Sequence, residues 1–98
     1  MNFLRLIGSN VHRLRLDRGL TQEAAAFEAN IAFNYLSGIE RGKHNPSVKV
    51  LWRVAKVLRV PITDLFMPLP PGYVPPKNLP RGRRGVKKVR PSTKARKR

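Results

Sequence analysis

Residues 33–41, FNYLSGIER, carry two kinds of side chain. Tyr35, Leu36 and Ile39 recur at helical spacing and form one apolar stripe. Phe33, Asn34, Ser37 and Arg41 fall on the other side. A short helix gains nothing in water by presenting a phenyl ring, an amide, a hydroxyl and a guanidinium together. Against the edges of DNA bases the set has a use. An Asn amide donates and accepts in one plane and pairs bidentately with adenine, and an apolar group sits on a thymine methyl. The structural alternative is a rotated helix that packs Phe33 into the core. No nucleophile–base–orienter set, glycine-rich phosphate loop or paired-carboxylate site occurs in the chain, so an enzyme is not expected. His12 and His44 stand apart from any cysteine or carboxylate cluster at ligand spacing, so neither a metal nor a cofactor is expected.

Five helical segments are predicted to hold that surface. Residues 8–18 place Val11 and Leu14 at helical spacing, with Ile7 on the same side and Gly19 ending the run. Thr21 is an N-cap for QEAAAFEA, with Glu23 near the positive end of that helix. Asn30 tolerates the left-handed conformation of a tight turn. A third helix spans about Ala32 to Arg41 and stops at Gly42. Asn45 and Pro46 signal the start of a fourth, SVKVLWRVAKVLRV, whose stripe Val50, Leu51, Val54, Ala55, Leu58 is the most regular in the chain. Pro61 ends it, and ITDLF forms a short fifth. No β-type alternation appears, so the domain at 1–67 is expected to be all-α.

Beyond Met67 the composition changes. PLPPGYVPP, residues 68–76, reads as a semi-stiff polyproline-like linker, and residues 77–98 as a disordered basic tail. The chain holds 21 Lys and Arg against 5 Asp and Glu, a net charge of +16. Residues 68–98 alone carry eleven basic and no acidic side chains. Such a tail is either a solvated terminus or a polyanion binder, nucleic acid before an anionic membrane. The absence of cysteine excludes disulfides and thiolate metal sites and favours an intracellular setting. No run of about 18 apolar residues exists to span a membrane. MNFLRLIGSNVH does not read as a secretory signal.

A helix at 21–29, a turn at Asn30 and Ile31 and a helix at 32–41 make a helix-turn-helix, in which the second helix lies in the major groove. Four pieces in order and at matching spacing, RGLTQ, LSGIERGK, NPS and VPITDLF, extend the pattern over residues 5–67. The chain resembles the Cro/C1-type, or XRE-type, helix-turn-helix domain of bacterial and phage repressors. The resemblance implies a five-helix lambda-repressor-like fold. It implies base readout by Ala32, Phe33, Asn34, Ser37 and Gly38, and backbone contacts by Gln22, Arg41, Lys43 and Asn45. It also implies a structural ion pair of Arg15 with Glu40. Ala32 departs from the Ser or Thr often found at its position, and so cannot cap the reading helix. Gly38 departs from the usual Arg, Lys or Gln, which leaves Phe33, Asn34 and Ser37 to carry most of the readout.

The expectation is a cytoplasmic, nucleoid-associated transcriptional regulator that binds double-stranded DNA as a homodimer on a two-fold operator. One short helix reads too few base pairs alone. The dimer surface is expected at the far end of the fourth helix with the fifth, through Trp52, Leu65 and Phe66. Two alternatives stand beside it: an antitoxin-type or adaptor protein whose Pro-rich segment docks a protein partner, and a non-specific packaging protein acting through the tail.

Overall fold

The computed structural model describes residues 2–77. The expected basic tail lies outside the described residues beyond Lys77. Among these residues there are four α-helices: α1 (Phe3–Asp17), α2 (Gln22–Ala29), α3 (Phe33–Glu40) and α4 (Val48–Leu58). A 3-10 helix, Ile62–Phe66, follows. No strand occurs among the described residues.

Local chemistry explains the boundaries. Side chains of Asn2, Thr21 and Ser47 accept hydrogen bonds from the backbone N–H groups of Arg5, Ala24 and Val50 and so cap α1, α2 and α4. Ala32 makes no such bond at the start of α3. At the other end of α2, Asn30 adopts φ 59°, which lets Ile31 N–H reach the Ala26 carbonyl at 3.0 Å. Gly42, at φ 74°, likewise lets Lys43 N–H reach the Gly38 carbonyl at 2.8 Å. α1 starts at Phe3, five residues before its expected start at Gly8, because Asn2 supplies a cap and Ile7 belongs to the buried stripe.

The core gathers one face from every helix: Ile7 and Val11 from α1, three alanines of α2, Leu36 and Ile39 of α3, and Leu51, Val54, Ala55 and Leu58 of α4. α2 rests on α4 and α3, and α1 crosses α3 and the 3-10 helix. The last segment corrects one expectation, at Leu65. ITDLF forms the expected short fifth helix, of 3-10 type, since Pro61 and the exit at Met67 leave little length for an α-helix. Leu65 is 0% exposed within the subunit and so cannot serve as a dimer contact; its side chain closes the bottom of the core.

Candidate nucleic-acid interface

α3 turns Leu36 and Ile39 inward, and this leaves Asn34 exposed on its outer side with Ala32 just before it. Phe33 and Ser37 are half-buried beside them. Arg41, Lys43 and Asn45 are exposed along the loop that follows. Arg41 folds back weakly, donating from Nε to the Ser37 carbonyl at 3.4 Å. An amide, a hydroxyl and two cations therefore run along one continuous stretch from α3 into its exit loop.

Gly38 is placed differently from its neighbours. It is buried, and the His44 ring lies where its Cβ would be. That ring also stacks on Tyr35, with centroids 5.1 Å apart and planes 26° from parallel. The missing side chain at 38 thus makes room for His44 to brace the exit loop on α3. Gly38→Ala is a mild change on this geometry. The displaced group is the far end of an exposed side chain, and Ala gains about 1 kcal/mol of helix propensity. Loss of the Tyr35 stack offsets about 0.5–1.5 kcal/mol. We expect stability within about 1 kcal/mol of the parent by thermal melting, with a large change in the His44 ring proton shifts. An unchanged His44 environment would contradict the arrangement.

Under the exit of α3 sits a buried polar centre. The Glu40 side chain, 3% exposed, receives Arg15 Nε at 2.6 Å and Arg15 Nη2 at 2.9 Å on its two oxygens. Gln22 Nε2 donates to Oε1 at 2.9 Å, and His12 Nδ1 lies 3.0 Å from the same oxygen. Arg15, itself 0% exposed, also donates to the Leu20 carbonyl at 2.8 Å. Burial pushes the Glu40 carboxyl up, but the hydrogen bond and charge of Arg15, then Gln22 and His12, outweigh it and hold the group below its ordinary value. One carboxylate thereby locks α1, the first residue of α2 and the last residue of α3 at fixed angles.

The structure brings Arg15 and Glu40 together, and it brings Gln22 to them, with its amide nitrogen committed to Glu40. Trp52 stands apart from this surface, 52% exposed, with Lys56 Nζ 4.5 Å above its ring. Phe66 is half-buried and stacks on Phe3 at 5.9 Å. Sequence reasoning overlooks the structural use of His12 and His44, considered there only as metal ligands, and does not single out Asn10. The only local hint was a glycine inside a helix at 38. Among the described residues no group of His, Cys, Asp and Glu could hold a metal ion, and no helix is long and apolar enough to cross a membrane.

Comparison with known proteins places these elements in a family. A helix-turn-helix family model matches residues 11–65. An HTH-type transcriptional regulator of Sinorhizobium fredii, y4dJ, is 41% identical over 68 residues, which are 69% of this chain and 88% of that protein. The immunity repressor of Bacillus phage phi105 is 37% identical over 59 residues; these are 60% of this chain but 41% of the repressor, so the likeness spans under half of its length. Among solved structures, the restriction-modification controller protein C.AhdI of Aeromonas hydrophila superimposes with a TM-score of 0.63 at 33% identity, over 64% of this chain and 96% of the controller.

Proposed function

Since the chain belongs to the helix-turn-helix family of DNA-binding transcriptional regulators, we propose that it is a sequence-specific regulator that reads the major groove with residues 32–41. The observation that carries this reading is the exposed Asn34 on a helix whose other face is sealed in the core, followed directly by exposed Arg41 and Lys43. In this role Asn34, Phe33 and Ser37 meet base edges with Ala32 close by, while Arg41, Lys43 and Asn45 grip phosphates. Gly38 contributes through its backbone and the loop it lets His44 brace. Gln22 opens α2, whose free N–H groups suit a phosphate, and steadies the site through Glu40.

The regulator works in the cytoplasm, at the nucleoid, as a homodimer on a two-fold operator, with half-sites about one helical turn apart. Trp52 and Phe66 are its subunit contacts. The test is selection of duplexes from a random library followed by footprinting. Asn34→Ala should lose about 1–3 kcal/mol of preference at one base pair of each half-site. Lys43→Ala should weaken all sequences alike and lower the salt slope by about one. Equal effects of the two variants on every sequence, or protection without paired half-sites, would count against the reading.

A further inference from the structure

The Pro-rich stretch is fastened to the domain. Asn10, 0% exposed, donates from Nδ2 to the carbonyls of Leu65 at 3.0 Å and Met67 at 2.8 Å. Arg13 Nη2 donates to the Asn10 Oδ1 at 3.0 Å and holds the amide in that orientation. A turn then reverses the chain, with Tyr73 N–H bonded to the Pro70 carbonyl at 3.1 Å. Finally His12 Nε2 lies 2.8 Å from the Pro76 carbonyl. A carbonyl only accepts, so Nε2 carries the proton and donates it. The other ring nitrogen of His12 faces Glu40, the last residue of α3 and the neighbour of Arg41. Two ring contacts of one histidine therefore connect Pro76 to the exit of the reading helix.

Lys77 begins the densest charge in the chain, eleven basic and no acidic side chains to residue 98. We propose that residues 67–77 form a fixed strap that starts this basic segment beside the end of α3, so that it tracks the phosphates flanking the same DNA site. His12 is the positioning residue that pins the strap. This rests on the DNA-reading function above and adds where the tail acts. Phosphates beside each half-site are the occupant, because they are the dense array of anions next to a bound helix-turn-helix and suit a chain of Lys and Arg. A tail launched from a free linker would instead visit a broad region and raise affinity for any duplex.

The chain has no cysteine, so a Pro80→Cys variant carries an iron-chelate cleavage probe at a single place. On the selected duplex, cleavage should cluster at one flank of each half-site. His12→Ala should scatter it severalfold more widely, and His12→Gln, whose amide can still donate to the Pro76 carbonyl, should restore the cluster. Because His12 also touches Glu40, a second variant replaces residues 69–76 with a Gly/Ser sequence of equal length and leaves His12 and Glu40 intact; it too should scatter the cleavage. Scattered cleavage in the parent, or an undisturbed cluster in both variants, overturns the strap. Scatter in the parent with normally protected half-sites overturns the strap alone, whereas the absence of any protected duplex overturns the DNA-reading function with it.

Discussion

Glu40→Ala is expected to remove about 3–5 kcal/mol of folding stability, the cost of breaking a buried ion pair by deleting one partner. The carboxylate is almost wholly enclosed and Arg15 is fully enclosed, so the guanidinium would keep the Leu20 carbonyl but lose the anion that compensates its burial. Gln22 would lose its acceptor at the same time, and His12 the carboxylate beside its ring. A domain of this size holds about 5–15 kcal/mol in total, so the variant should be partly unfolded near its normal working temperature. Urea titration measures the loss; a deficit under about 1 kcal/mol would show the centre to be dispensable. The same centre sets an acid limit. Glu40 binds protons less readily in the folded chain than in the unfolded one, because Arg15 on α1 faces it, with His12 from the same helix and the neutral Gln22 from α2. Its contribution is therefore present above the ordinary carboxylate pKa and is lost as pH falls through the lower, folded value. Stability of the parent should drop below about pH 4, and Glu40→Gln should flatten that limb while lowering stability at neutral pH.

Gly8→Ala should be the second damaging change, and for a reason opposite to the one at Gly38. A Cβ at residue 8 would lie 2.7 Å from the Glu40 carbonyl oxygen and 2.9 Å from its carbon, and closer still to the Ile39 oxygen. These are backbone atoms at the end of α3 and cannot swing aside. α1 would have to lift away from α3, stretching the contacts from Arg15 and His12 to Glu40. Overpacking of this kind costs about 1–3 kcal/mol, which outweighs the roughly 1 kcal/mol that alanine gains in a helix. The displaced exit of α3 carries Arg41 and Lys43, so DNA affinity should fall along with the melting temperature. A stabilised variant with unchanged binding would refute the close crossing of α1 and α3.

The two glycines show which kind of information is local. Each sits inside a helix, where the sequence marks both merely as weak helix formers. Only the fold distinguishes a glycine pressed on carbonyls from one covered by a side-chain ring. The same division runs through the rest of the chain. Thr21, Asn30 and Gly42 act on backbone groups a few residues away, and the helix limits they imply agree with the structure to within a residue or two. The start of the fourth helix is shifted: Ser47, not Asn45, supplies the cap, and Pro46 lies before the helix. The start of α1 was hidden because Asn2 and Phe3 precede a weak stripe, and Leu65 was misjudged because a leucine near a domain end reads the same whether it faces in or out.

By itself the sequence determined that the domain at 1–67 is all-helical, that a helix-turn-helix lies at 21–41, and that 32–41 has a polar outer side, because caps, turns and 3.6-residue periodicity depend on neighbours within one turn. The tertiary structure decided that Gln22 and His12 join Arg15 on Glu40, that His44 covers Gly38, and that Asn10 and His12 catch carbonyls 55 to 64 residues away. Those contacts depend on how α1 crosses α3, and a crossing angle is set by packing among all four helices at once, which no local pattern encodes.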